Sequence, residues 1–288
     1  MTPRQRISVL GVPVDCVTSE EAILAVRRFV ASRLPSQITT VNPEFLVAAQ
    51  TNTRFRHVLK EAELSVADGT GVRAAATFLS WPAPSWQPMR FVVTFAQGLA
   101  VGALTLFRQP AAYAPVPATV TGTDLLLATA AEAAANGWRL YLVGGDPGIA
   151  EAAANALTDH FPGLHIAGAE EGVPKPEHRQ GPLGEYESAL VDRIRAAEPD
   201  ILAVAFGAPR QELFIHAHKA VLGVPVMIGV GGAFDFYVGT ARRAPNALRA
   251  IGLEWLWRVV TQPWRWSRIL TATVQFPFLV FLSKQRTR

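Results

Sequence analysis

What most constrains this chain is an alternation. Short, nearly continuous apolar runs at Ile38–Val41, Leu64–Ala67, Arg139–Val143, Leu164–Ala167, Ile201–Phe206 and Val226–Val230 are separated by helix-forming stretches of ten or more residues. Strands that are apolar along their whole length are covered on both faces, and the helices between them are the crossovers that parallel strands require. The pattern predicts an α/β protein, a Rossmann-like and mostly parallel sheet with helices on both faces. Helices are expected at Ser19–Ser32, capped by Thr18 or Ser19, and at Asp124–Ala135, Gly148–His160 and Glu185–Ala197. The Pro/Gly-rich segment 172–185 reads as a surface loop.

The length suits one large domain or one domain with an appendage, and 288 residues that are half apolar and 17% charged exclude disorder and collagen as the main character. No internal repeat is present. Cys16 is the only cysteine, so no internal disulfide forms, and the start MTPRQRISVLGVPVD lacks an apolar stretch followed by a small-residue cleavage site. A cytoplasmic location follows as the expectation.

Charge divides the chain at Ala241. Residues 242–288 carry nine cations and one anion, Glu254, for a net +8, against −4 for the first 241. The same segment holds four of the seven tryptophans, Trp255, Trp257, Trp264 and Trp266, followed by the uncharged run ILTATVQFPFLVFLS. Arginines interleaved with indoles suit an anionic membrane surface, where rings sit at headgroup level. A core-packing helix with a solvated basic face, or a nucleic-acid patch, would show similar composition. The expected organisation is a domain over 1–241 and a basic, Trp-rich helical appendage over 242–288.

One region departs from the soluble pattern. Between Arg73 and Asp124 the only charges are Arg90 and Arg108, and FVVTFAQGLAVGALTLF (91–107) is uncharged throughout. As a helix it measures about 25 Å, marginal against a bilayer core of about 30 Å and better matched to a re-entrant or interfacial element. The alternative is an extra helix packed on the domain or on a second subunit.

In a parallel sheet, ligands bind beyond the carboxyl ends of the strands. The residues there are Thr39, Thr40 and Asn42-Pro43-Glu44, then Asp68-Gly69-Thr70-Gly71, Gly144-Gly145-Asp146-Pro147-Gly148, Gly207-Ala208-Pro209-Arg210-Gln211-Glu212 and Gly231-Gly232-Ala233-Phe234-Asp235. Glycines between strand and helix let backbone N–H groups approach an anion at the helix N-terminus, which points to a nucleotide or another phosphate ligand, although such turns also occur without one. Asp68 can act as a base, cap the next helix or bind a metal. No HExxH, Asp-x-Asp pair, GxSxG elbow or GxxxxGK[ST] loop occurs, and His216 and His218 would point to different sides of a helix.

Six ordered motifs, TTVNPEF (39–45), ADGTGV (67–72), TGTDLL (121–126), LVGGDPGIAEAAA (142–154), FGAPRQE (206–212) and GVGGAFDFYVGTARRAP (229–245) followed by GLEWLWR (252–258), resemble the WecG/TagA/CpsF family, glycosyltransferase family 26. The resemblance spans nearly the whole chain apart from roughly 74–118, which reads as an insertion. It implies inverting, metal-independent transfer of N-acetylmannosamine or a relative from a UDP-sugar to a sugar on a polyprenyl diphosphate at the cytoplasmic membrane face, with no cofactor. It further implies a basic appendage that binds the membrane and completes the site; apart from the resemblance, an exposed insertion and a detachable tail are compatible with a homo-oligomer. By motif, Asp68 matches the proposed general base, Thr40 and Asn42 the polar pair lining the pocket, and Gln211 a glutamine near the donor. Gly144 and Gly145 fall in the phosphate-side loop, and Arg242, Arg243 and Arg249 fall where cations meet diphosphate or lipid. Thr119 stands where the family often has a basic residue.

Two other functions compete. LVGGDPG opens a helix after a strand, with Glu170 placed 22 residues after Gly148, as in nicotinamide-linked oxidoreductases, but the full G-x-G-x-x-G is absent. An inactive membrane-bound scaffold of the same fold is the non-enzymatic reading.

Overall fold

The computed structural model of the chain describes residues 4–107, 109–173, 182–239 and 266–286. The chain opens on a hairpin that the periodicity does not predict. Strands β1 (Arg6–Val9) and β2 (Val12–Asp15) pair antiparallel, with Val9 opposite Val12. Leu10 and Gly11 both take positive φ, 52° and 79°, as the favoured two-residue hairpin turns require. Four residues per strand carry too little alternation to stand out, and a leucine is an unusual occupant of such a turn. Asp15 is fully buried and accepts from Arg6 Nε at 2.9 Å and from the Ser65 backbone N–H at 2.8 Å, fastening the hairpin to the sheet.

Helix α1 (Ser19–Ser32) starts at Thr18. The Thr18 hydroxyl accepts from the Glu21 N–H and the Glu21 carboxylate accepts from the Thr18 N–H, a reciprocal capping box. There follow β3 (Ser36–Val41), α2 (Pro43–Thr51), α3 (Thr53–Glu61), β4 (Leu64–Ala67), α4 (Thr70–Ser80) and α5 (Gln87–Leu106). After a 3-10 turn, Pro110–Tyr113, come α6 (Gly122–Asn136), β5 (Arg139–Gly144), α7 (Ile149–His160), β6 (His165–Glu170), α8 (Leu183–Ala196), β7 (Ile201–Ala205), α9 (Arg210–Leu222), β8 (Val226–Gly229) and α10 (Ala233–Val238). At the C-terminus, α11 (Trp266–Leu270), a π turn (Thr271–Gln275) and α12 (Phe276–Arg286) form one helical run.

Every expected strand is present, β4 (Leu64–Ala67) with the expected bounds and the others with ends shifted by one to three residues. Strands β3 to β8 form one parallel sheet in the order β4-β3-β8-β7-β5-β6. The period-two alternation divides each strand between two apolar layers. Leu140, Leu142, Ile201 and Ala203 join Val26, Leu126 and Leu157 from α1, α6 and α7. Tyr141, Val143, Leu202 and Val204 join Leu190, Ile194 and Ile215 from α8 and α9. This is the α/β sandwich that the sequence predicts. A third cluster, from the hairpin, α2, α4 and Val101 of α5, takes in Phe276 and Val280 of α12, so the C-terminal helix is part of the packed body.

Two features take a definite form in the structure. The apolar stretch 91–107 is a helix that lies along the domain by one side, as α5, with most of its surface exposed. Glu170, considered above as a ribose-binding acid, ends β6 in a network, accepting from Tyr141 Oη and from Arg193 Nη2 at 2.7 Å. Most of the basic segment (240–265) and 174–181 of the Pro/Gly-rich loop lie outside the described residues.

Candidate functional site

Parallel pairing brings every strand's carboxyl end to one edge, and the strand order opens that edge at two places. The chain leaves β3 outward to β4 while β8 arrives on the other side, and it leaves β5 outward to β6 while β7 arrives on the other side. Both are points where the connections diverge, which is where crevices form in open α/β sheets.

The first crevice holds Thr40, Asn42 and Asp68. Thr40 is buried at the end of β3 and its hydroxyl donates to the Gly229 carbonyl at 3.3 Å. Asn42 is the N-cap of α2, its Oδ1 accepting from the Phe45 N–H at 3.0 Å. Asp68 directly follows β4, half-buried, and its N–H donates to the Val41 carbonyl at 2.8 Å. The cap position of α4 falls on Gly69, at φ 113°, so Asp68 stands between strand and helix rather than at the cap. The TGTD segment closes this corner from the side. The Val120 N–H donates to the Ala67 carbonyl at 2.9 Å, and a Cβ on Gly122 would lie 3.3 Å from the Val230 carbonyl oxygen and 3.6 Å from Thr40 Oγ1. Glycine at 122 is thus what lets α6 start against β3 and β8. Thr121 caps α6, accepting from the Asp124 N–H at 3.1 Å.

The second crevice is lined by glycine. Gly144 has φ 115°, and a Cβ there would lie 2.6 Å from the Ala205 carbonyl carbon, so only glycine fits between β5 and β7. The Gly145 N–H donates to the Ala205 carbonyl at 3.2 Å. Gly148, at φ 79°, precedes the first turn of α7.

Gln211 joins the crevices. It is 1% exposed, and its Oε1 accepts from both the Gly207 N–H (3.1 Å) and the Gly231 N–H (3.0 Å). Its Nε2 donates to Glu212 Oε1 at 2.7 Å. The side chain is therefore a buried staple between the loops after β7 and β8, with its polar atoms turned to the protein. Glu212 is fully buried beside it, and burial pushes its carboxyl up to about 7. Glu212 Oε2 and Gln37 Oε1 both lack hydrogen-bond partners, while Gln37 Nε2 donates to the Glu212 carbonyl at 3.1 Å.

Two residues emerge from the structure alone. Arg73 of α4 reaches Thr119, Nη1 to Oγ1 at 3.4 Å, while its other donors hold the Val116 (2.8 Å) and Pro117 (2.6 Å) carbonyls and its guanidinium lies 4.3 Å from the Tyr113 ring centroid. Arg268 of α11 pairs with Glu44 in the first turn of α2 at 2.6 Å, tying the C-terminal run to the residue two after Asn42. Neither contact is readable from spacing, because each joins residues more than 40 positions apart. Arg242, Arg243 and Arg249 lie outside the described residues. Among the described residues, no cluster of three or more His, Cys, Asp or Glu side chains is placed to hold a metal ion. Cavities of about 320 and 460 Å³ lie away from this edge, one between Leu10, Gln50 and α12, the other at the opposite end of the sheet around Arg139 and Asp200.

The family model described as "Glycosyl transferase WecG/TagA/CpsF family" matches residues 7–99 and 94–288. Among curated proteins, an N-acetylglucosaminyldiphosphoundecaprenol N-acetyl-beta-D-mannosaminyltransferase of Bacillus spizizenii is 28% identical over 234 residues, 81% of this chain and 74% of that protein. The Staphylococcus aureus protein of the same name is 27% identical over 266 residues, 92% of this chain and 87% of its own length.

Proposed function

The chain belongs to the WecG/TagA/CpsF family and is a glycosyltransferase, and on that premise we propose the reaction it catalyses. The donor is a UDP-sugar carrying N-acetylmannosamine or a relative, and the acceptor is a sugar on a polyprenyl diphosphate, the acceptor class in the relatives' names. Asp68 takes the proton of the acceptor hydroxyl as its oxygen attacks the anomeric carbon. The bond to the diphosphate breaks on the opposite face, UDP departs with that electron pair, and the configuration inverts. The observation that carries this reading is the position of Asp68, a half-buried carboxylate at the end of β4 in the corner formed with Thr40, Asn42 and Gly122.

Charge on the leaving diphosphate is met without a metal by the glycine-lined start of α7 and by the arginines Arg242, Arg243 and Arg249. Arg73 brings a guanidinium to Thr119, where the family often carries its own cation. Gln211 acts by positioning: it fixes the loops after β7 and β8 between which the donor lies. A lipid-linked acceptor stays in the bilayer, so the enzyme works bound peripherally to the cytoplasmic face of the membrane. The nicotinamide reading loses its main residue, because the Glu170 carboxylate is taken up by Tyr141 and Arg193.

The test is UDP release from a panel of UDP-sugars with a GlcNAc-diphospho-lipid acceptor and EDTA present. Turnover with one donor that survives EDTA and falls by about 10²–10⁴-fold in Asp68→Asn supports the proposal. UDP binding without turnover would favour the inactive scaffold, and no UDP binding would overturn the reading.

A further inference from the structure

Helix α5 is inside out. A surface helix of a water-soluble domain turns its apolar stripe to the core and its polar side chains to solvent. On α5 the buried positions include Arg90 and Thr94, while Phe91, Val92, Phe95, Leu99 and Leu106 are each more than half exposed. The inward Arg90, Thr94 and Gln97 side chains are all paired, whereas the Thr105 hydroxyl near the end of the helix is buried without a hydrogen-bond partner. Arg90 Nη2 and Nε donate to the Lys284 carbonyl of α12 at 2.6 and 3.1 Å. The Lys284 ammonium donates to the Phe78 carbonyl and to Gln97 Oε1, and Gln285 Nε2 donates to Thr94 Oγ1. Between Met89 and Phe107 every exposed residue is Met, Phe, Val, Leu, Ala or Gly. The outward ridge thus runs about 30 Å with no hydrogen-bonding side chain.

We propose that this ridge is a lipid-contacting surface, on which α5 lies in the plane of the bilayer interface beside the C-terminal helical run. The inference rests on the lipid-linked acceptor of the proposed function and adds where the membrane touches the enzyme. Lipid fits the ridge better than a second protein, because protein interfaces carry about one hydrogen bond per 100–200 Å² and a polar rim, and hydrocarbon asks for neither. The C-terminal run, whose α12 packs on α5 through Phe281 against Phe91, also exposes Trp266, Leu270, Val274 and Phe278. Exposed Trp86 at the start of α5 and Trp266 at the start of α11 are interfacial residues, and the tail's net +8 complements anionic headgroups. The helix lies in the plane rather than across the membrane. Arg90 near its start and Val101 near its end are both buried against the domain, and the 3-10 turn that follows it returns to α4 under Arg73. An apolar face seated about 5–10 Å deep is the geometry of an interfacial helix.

The test floats the full chain with vesicles of pure phosphatidylcholine and of phosphatidylcholine with one quarter phosphatidylglycerol, for wild type and the double variant Phe95→Asn, Leu99→Asn. Both side chains are exposed, so the melting temperature should hold. The vesicle-bound fraction should fall at least about tenfold on neutral vesicles, where the basic tail contributes least. As a second measure, Phe95→Cys in a Cys16→Ser background, labelled with an environment-sensitive dye, should shift to the blue on vesicles. Unchanged flotation, or no dye shift, would overturn the proposal. So would loss of a dimer in sedimentation with flotation intact, which would assign the ridge to a second copy of the chain. Turnover with a short-chain, water-soluble acceptor is read separately: it should be equal in both proteins, and its absence in both would count against the transfer reaction and not against the surface.

Discussion

At the strand-end edge, polar side chains serve the backbone: buried Gln211 holds two loop N–H groups, buried Thr40 a carbonyl and half-buried Asn42 a helix start. Between α5 and α12 they serve each other and nearby backbone carbonyls, and the side of α5 away from them is bare of polarity. The first set opens toward the cleft, and the bare ridge is the proposed lipid face. The lesson is that the direction in which polarity points around an element reports its surroundings, even where total composition does not.

The comparison breaks most sharply at the edge. Gly144→Ala places a Cβ 2.6 Å from the Ala205 backbone at a φ of 115°, and about 3 kcal/mol or more of stability should be lost in denaturant unfolding. Glu212 gives the next effect, through pH. Its raised carboxyl, at about 7, keeps a proton in the fold that the unfolded chain releases from about 4.5. The folded state therefore binds more protons across that window, and stability falls as pH rises from 4.5 to 7, by up to about 3 kcal/mol. Glu212→Gln, neutral at every pH, should flatten that slope in melts taken across the window. Arg90→Ala should cost about 2 kcal/mol by leaving the Lys284 carbonyl buried without its donor, and limited proteolysis should find α12 first. Leu99→Gln sharpens the contrast from outside: on the same helix, in detergent-free buffer, it should change the melting free energy by less than about 0.5 kcal/mol. A polar loss that hurts inside and a polar gain that is tolerated outside would together establish the inversion.

The sheet is legible because each parallel strand is apolar on both faces, so six strands announce themselves as runs. The hairpin is not, because four-residue strands leave no period, and its turn uses Leu10 in a conformation that favours glycine. Asp68, Asn42 and Gly144 are legible as residues following strands, and the structure places them along one edge of the sheet. The jobs of Gln211 and Arg73 are not, because they depend on which loops the strand order makes neighbours. Composition marks 91–107 as unusual, yet its inversion is invisible until α12 is seen beside it, since Lys284 lies 194 positions from Arg90.

The staple at Gln211 has a kinetic meaning. One oxygen receives the N–H groups of two loops, so neither loop can shift far without releasing or carrying the other. If the donor lies between these loops as proposed, displacing the Gly207 loop on its entry would be felt at the Gly231 loop through the same oxygen.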